Sequence, residues 1–246
     1  MAEVDFRDRT VMVTGASRGI GRALAEAFAG AGSRLVLCAR GEEALRDVVK
    51  ALVDGGAEVE WGAVDVTDRA GIGALVARSE SRFGRIDALV NNASILGRRV
   101  PIREQDPDEW RTVLDVNVTG TLIPTQAVLP GMRRAGRGSI INMTSGVGNR
   151  PRPRWGAYAV SKWGVEALTY NLALEEESAG VRVNAVDPGT VRTAMRKAAY
   201  PDEDPSRLPP PREIVGVFLW LASDASATVT GQRFRAQEWP DRHTGA

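Results

Sequence analysis

The chain is short of the groups on which much enzyme chemistry depends: in 246 residues it holds one cysteine, Cys38, and one histidine, His243. A single cysteine forms no intrachain disulfide, and one of each residue cannot assemble a Cys/His zinc site, which excludes a zinc-type dehydrogenase. The only imidazole sits in the polar ending WPDRHTGA, a segment expected to fray, so a Ser-His-Asp hydrolase or a histidine general base is excluded too. Metal held by carboxylates has no motif. No run of eighteen apolar residues appears, and the start MAEVDFRDRT lacks the basic-then-apolar pattern of a signal peptide. The expectation is a cytoplasmic protein without membrane contact. A formal net charge of +1 argues against a general nucleic-acid binder.

What is present points to one α/β unit. With 43% hydrophobic residues the chain can bury a substantial core, and we expect a single domain over 1–236 followed by a tail at 237–246. Short apolar runs alternate with helical patterns: TVMVTG then GIGRALAEAFAGAG, SRLVLCAR then EEALRDVVKALVDGG, EVEWGAVDV then a helix, and RIDALVNNA. A long helical stretch over 106–135 follows, then strand SIINMTS, a helix at about 157–178, strand VRVNAVDPG, the helical PREIVGVFLWLA and a short strand near VTGQRFRA. Such alternation implies right-handed crossovers and a doubly wound parallel sheet with helices on both faces, with ligands beyond the carboxyl ends of the strands. The proline-rich stretch 199–211 reads as a loop or lid.

Between the first strand and helix stands TGASRGIG, Thr14 to Gly21. Gly15, Gly19 and Gly21 permit a tight turn and close approach to a pyrophosphate, while Ser17, Arg18 and Ile20 bring the helix N-terminus to it. A glycine-rich loop alone is a weak signal; its position in an alternating chain points to nucleotide binding rather than a bare turn. About twenty residues on, where an NAD enzyme places an acid, the chain has Ala39 and Arg40. Arg40 with Arg18 is suited to a 2'-phosphate, so the expected cofactor is NADP(H); the plain alternative is that Arg40 only solvates the strand end. Asp65 and Val66 are candidates for the adenine edge, and Asn92, Ala93 and Ser94 for lining the cofactor, although either segment alone reads as an ordinary turn.

Tyr158 and Lys162 form Y-x3-K on a helix face one turn apart. Three tyrosines and three lysines in this length give roughly 0.04 such pairs by chance. Lysine is itself rare here: only Lys50, Lys162 and Lys197 among 32 basic residues. An ammonium beside a phenol favours the phenolate and is expected to lower its pKa from about 10 toward the working range, in place of the absent imidazole. Ser145, thirteen residues earlier at a strand end, is placed to hold the substrate oxygen; otherwise it is a turn residue. Asn117, uneasy inside a helix, is a candidate to bind a water linked to Lys162; read alone it would be helix surface.

Taken together, TGASRGIG, NNAS, Asn117, Ser145, Tyr158-x3-Lys162 and DPGTVRT resemble the short-chain dehydrogenase/reductase family, in family order over nearly the whole chain. The resemblance implies a Rossmann-type sheet, a Ser/Tyr/Lys/Asn tetrad and a dimer or tetramer built on the two long helices. It also implies a Pro188-Gly189 turn under the nicotinamide, Val191 beside it and Thr193 bonded to its carboxamide. Ser94 replaces the usual glycine, Asp187 an asparagine, and the ending lacks the family's valine-aspartate-glycine-glycine finish. The PDEDP lid, the SKWG helix and this ending look like a bacterial subgroup of oxidoreductases whose substrates are unassigned.

The expected function is interconversion of a carbonyl and an alcohol by hydride transfer, with 3-oxoacyl-acyl-carrier-protein reduction as the specific alternative. A reading of another class is a cofactor sensor or scaffold without turnover, against which Tyr158 and Lys162 argue, since a pure binder needs no activated phenol. Segments 94–103, 146–157 and 190–212 hold eleven basic residues and three acids, net +8 against −7 elsewhere. A site walled by such charge concentrates anions. The substrate is therefore expected to be anionic or carrier-bound, with Arg150, Arg152 and Arg154 near the entrance, unless these arginines only pair with acids or bind cofactor phosphate.

Overall fold

The computed structural model describes residues 5–239, so His243 and most of the polar ending lie outside the described residues. Seven strands form one parallel sheet: β1 (Thr10–Thr14), β2 (Arg34–Ala39), β3 (Val59–Ala63), β4 (Ala88–Asn91), β5 (Gly138–Met143), β6 (Val181–Asp187) and β7 (Arg233–Arg235). Their order is β3-β2-β1-β4-β5-β6-β7, so successive connections run in opposite directions from β1 and open a crevice between the ends of β1 and β4.

The central strands are apolar on both faces because helices cover both. Val11 and Val13 of β1, with Leu35 and Leu37 of β2, pack into one layer; Met12, Val36 and Cys38 point the other way. The first layer is closed by α1 (Gly19–Gly30), α2 (Glu42–Asp54) and α8 (Gly216–Ala222). The second takes α3 (Arg69–Phe83), α5 (Gly120–Ala135) and α6 (Gly156–Glu176). Cys38 is fully enclosed there, and burial pushes its thiol up to about 12, so it has no thiolate chemistry at neutral pH.

The helix expected over 106–135 is interrupted. α4 (Pro107–Leu114) starts with Asp106 as N-cap and Pro107 in its first turn, but a π turn occupies Asp115–Thr119 before α5 begins. Pro124 lies inside α5 and returns no hydrogen bond to the preceding turn, while Gly120 lets Val66 pack against the backbone: a Cβ there would stand 2.5 Å from Val66 Cγ2. The PREIVGVFLWLA segment also splits, into a 3-10 turn at Pro211–Ile214 and the short α8. The proline-rich stretch follows α7 (Ala194–Ala199) and holds only one 3-10 turn, Pro205–Arg207, before position 209.

Trp239 is buried in the first core layer with its ring 4.7 Å from that of Trp220, so the chain stays packed on the domain through this residue of the segment read as a tail. On α6, Val160, Trp163, Tyr170 and Leu174 expose one apolar stripe, on a helix where the resemblance sets a subunit contact. Among the described residues no helix is long and apolar enough to cross a membrane.

Candidate active site

The glycine loop closes β1 and opens α1 as the sequence suggests, and its glycines are sterically required. Gly15 and Gly19 have φ of +67° and +59°, the left-handed region. A Cβ on Gly21 would lie 2.5 Å from Asn92 Nδ2 and nearer still to the Gly15 carbonyl. The loop is stapled to β4: Thr14 Oγ1 accepts from the backbone N–H of Asn92 and Ala93, both at 3.0 Å, and Asn92 Nδ2 donates to the carbonyls of Thr14 at 2.8 Å and Gly15 at 3.2 Å. Ser17 and Arg18 complete the turn; Arg18 is the N-cap of α1 and makes no side-chain cap bond, leaving the first-turn donors, Gly19 and Ile20 included, for an anionic group.

Across the crevice, Gly19 faces Thr193, whose methyl would stand 3.6 Å from a Cβ at that glycine. Pro188 and Gly189 turn the chain after β6; Gly189 has φ +71° and donates to Asp187 Oδ1 at 3.0 Å. Val191 is buried, and Thr193 Oγ1 caps α7 by accepting from the Arg196 N–H at 3.1 Å. Arg40 follows β2 with its side chain 60% exposed and its Nε 3.8 Å from Asp65 Oδ2. Asp65 also accepts from Thr67, and Val66 is buried beneath it. Glycine backbone at the switch point, an open helix N-terminus and Arg18 and Arg40 near the strand ends fit the phosphates of a dinucleotide.

Tyr158 and Lys162 are both buried on one face of α6, 9% and 2% exposed. The side chains of Ser145 and Ser94 hydrogen-bond to the Tyr158 phenol and lower its pKa, yet burial outweighs them and pushes it up to about 12, with Asp187 adding to the rise. The expected acidified phenol is therefore corrected: desolvation dominates, and the phenol is held protonated. Lys162 Nζ lies 5.5 Å from the Tyr158 ring centre and donates to the Met143 carbonyl at 2.9 Å. Burial lowers its pKa to about 8, while Glu166 opposes that shift.

Asn117 is fully buried within the π turn rather than on a helix surface. Its Oδ1 accepts from Ile95 N at 2.8 Å and Ser94 Oγ at 3.1 Å, and its Nδ2 donates to Ile95 O at 3.0 Å and Ser161 Oγ at 2.9 Å. The expected side-chain water link to Lys162 is replaced by this clamp, which fixes the segment carrying Ser94. Ser145 caps the short turn after β5, and its carbonyl accepts from Arg233 at 3.2 Å.

Arg233 belongs to a buried network that motif reading missed. It donates to Glu166 Oε1 at 2.8 Å and Asp187 Oδ2 at 2.9 Å, and Glu166 also accepts from Thr144 Oγ1 at 2.7 Å. The unusual Asp187 thus has a cation of its own. The available signal was spacing: Tyr158, Lys162, Glu166 and Tyr170 follow one another at four-residue steps on one helix face. A cavity of about 530 Å³ has Arg98, Arg99 and Arg154 among its walls, with Leu96 and Ala199 shared with the apolar cluster that holds Tyr158; Arg150 and Arg152 stand exposed on the loop before Arg154.

The parallel sheet, its switch-point glycine loop and the buried phenol place the molecule among dinucleotide-dependent α/β oxidoreductases. The family is settled by comparison: the model of the short chain dehydrogenase family matches residues 9–204, and the chain belongs to that family. The chain is 39% identical over 243 residues to the uncharacterized oxidoreductase YciK of Escherichia coli (strain K12), covering 98% of this chain and 95% of that protein. It is 36% identical to cis-4-hydroxycyclohexanecarboxylate dehydrogenase of Sinomonas cyclohexanicum, covering 92% and 94% of the two chains. A short chain dehydrogenase from Escherichia coli CFT073, solved in complex with NADPH, superposes with a TM-score of 0.92 at 39% identity, covering 96% of this chain and all of that one.

Proposed function

We propose that the chain reduces a carbonyl to an alcohol with NADPH, and that Tyr158 donates the proton. The observation that carries this reading is a phenol buried beside Ser145 and Ser94, with the Lys162 ammonium 5.5 Å from its ring on the same helix face. A phenol is protonated at neutral pH and can give its proton to the developing alkoxide, and the same group takes a proton back in the reverse direction. Bound in the cradle described above, the nicotinamide supplies the hydride. Ser145 holds the substrate oxygen beside the phenol, and Lys162 places a positive charge behind it as negative charge develops.

NADPH is favoured over NADH because neither Ala39 nor Arg40 offers a carboxylate at the end of β2, and because a close structural neighbour was solved with NADPH. The substrate is an anion. Arg150, Arg152 and Arg154 are exposed at the rim and pair with no acid among the described residues, and one relative is named for an alcohol bearing a carboxylate.

Tyr158→Phe tests the reading. Turnover of a carbonyl panel with NADPH should fall by about a thousandfold or more, the scale of general acid catalysis, while NADPH affinity by fluorescence titration stays within a fewfold. Binding of NADPH by the wild-type chain with no turnover across the panel would support a sensor instead.

A further inference from the structure

The substrate side of the crevice contains one arginine around which the wall is built. The Arg99 guanidinium carbon lies 4.6 Å from the Trp155 ring centre and 4.3 Å from that of Tyr200, in the corner formed by the two rings. Such stacking fixes the plane of the cation and leaves its edge to make hydrogen bonds. One terminal nitrogen donates to the Ala199 carbonyl, and the Nε–H is buried with no acceptor among the described residues. Buried donors are ordinarily matched, so this one points to a ligand acceptor.

Its cationic neighbours are neutralised and it is not. Arg98 is bound to Glu109 at 2.9 Å, and Arg196, which also stacks on Tyr200, is bound to Glu203 at 2.6 Å. Arg99 meets no carboxylate among the described residues, and neither does Arg154. These two line the cavity of about 530 Å³ together with Leu96, Gly97, Val100 and Ala199. Arg154 has φ +68°, left-handed backbone that an arginine seldom adopts, and stands directly before Trp155.

The cavity adjoins the reacting groups. Leu96 and Ala199 belong to the same apolar cluster as Trp155 and Tyr158. Trp155 is 5.5 Å from the Tyr158 ring and 4.6 Å from the Arg99 guanidinium carbon, so phenol and cation stand no farther apart than those two steps laid end to end.

We infer that this cavity seats the carboxylate of a short keto acid, with Arg99 as the inner anchor and Arg154 as the outer one. The inference rests on the carbonyl-reductase reading above and narrows it to a substrate class. A planar carboxylate matches the edge of one guanidinium, whereas a phosphate brings more acceptor oxygens and more charge than a single part-buried guanidinium can satisfy. With phenol ring and cation that close, a short substrate can present its carbonyl to Tyr158 while its carboxylate sits on Arg99.

The test uses 4-oxocyclohexanecarboxylate and its methyl ester as paired probes with NADPH. The wild-type chain should prefer the acid in kcat/KM, with an advantage that shrinks as salt rises. Arg99→Met and Arg154→Ala should each lower the acid-to-ester ratio by tenfold or more, chiefly through KM for the acid, with Arg99→Lys restoring only part. An unchanged ratio in both variants overturns the anchor. Arg154 is exposed, so its variant gives a reading even if Arg99→Met folds poorly. Calorimetric titration of the NADP⁺-loaded chain with cyclohexanecarboxylate reads the site without turnover: binding weakened in Arg154→Ala supports it, and no binding to the wild-type chain overturns it. Cyclohexanecarboxylate binding without reduction of either ketone would sink the reductase reading and leave the carboxylate site standing.

Discussion

On the nucleotide side of the crevice the wall is backbone: Gly15, Gly19 and Gly21 with the carbonyls and amides of Thr14, Asn92 and Ala93. On the substrate side it is long side chains: Arg99, Trp155 and Tyr200 lean on one another, and Arg154 stands exposed at the same cavity. A backbone wall has one workable shape, because an added methyl meets main chain that cannot move aside. A side-chain wall can be rebuilt residue by residue, so the identity of the substrate is written there and the class of cofactor is written opposite.

The sharpest way to break that contrast is Gly21→Ala. With Asn92 Nδ2 at 2.5 Å and the Gly15 carbonyl nearer, the methyl forces the loop to shift. A cost of about 2–3 kcal/mol is expected, in the range of overpacking, and a matching rise of NADPH Kd by about thirtyfold to a hundredfold, read by fluorescence titration. A wild-type Kd in this variant would show that the backbone wall is adaptable after all.

A second prediction concerns the group behind the phenol. Burial holds Lys162 near 8, so its charge is lost as pH rises through that value, while Tyr158, near 12, stays protonated. Reductive kcat/KM should be level below pH 8 and fall about tenfold per unit above it. A level profile to pH 9.5 would show that the charge of Lys162 is not needed. Stability moves the other way. The folded value of Lys162 lies below its unfolded value of 10.5, so the unfolded chain binds more protons between about 8 and 10.5, and the contribution of this group to stability rises with pH there. The smallest effect is expected from Arg40→Ala, because that side chain is 60% exposed and already leans toward Asp65. The NADPH-over-NADH ratio of kcat/KM should drop by about tenfold, as for one charge-assisted contact in solvent.

The fold was legible because its signals are periodic. Apolar strand runs and helical stretches alternate, and the glycine loop falls where β1 gives way to α1. Tyr158 and Lys162 were legible because a pair four residues apart on a helix is a local fact. What escaped depends on burial and on contacts distant in sequence. Arg233 reaches Glu166 across 67 positions and Asp187 across 46, and Arg99 reaches Ala199 across 100. No local pattern encodes such meetings. The sign of the Tyr158 shift failed for a related reason: Lys162 was visible beside it in the chain, but the loss of solvent that outweighs the Ser145 and Ser94 hydrogen bonds was not. Asn117 was singled out as a poor helix former, and the π turn shows why one is accepted there.

That π turn also sets an angular offset. In a regular helix each residue advances by about 100°, so one extra residue in a turn rotates everything downstream by about that angle. Removing a single position between 115 and 119 would swing the sheet-facing side of α5, with Ile123, Val128 and Met132, around toward solvent. The bulge is thus a phase correction shared by two tasks, aiming the Asn117 amide at the loop after β4 and keeping the next helix in step with the core. A deletion there would disturb both together.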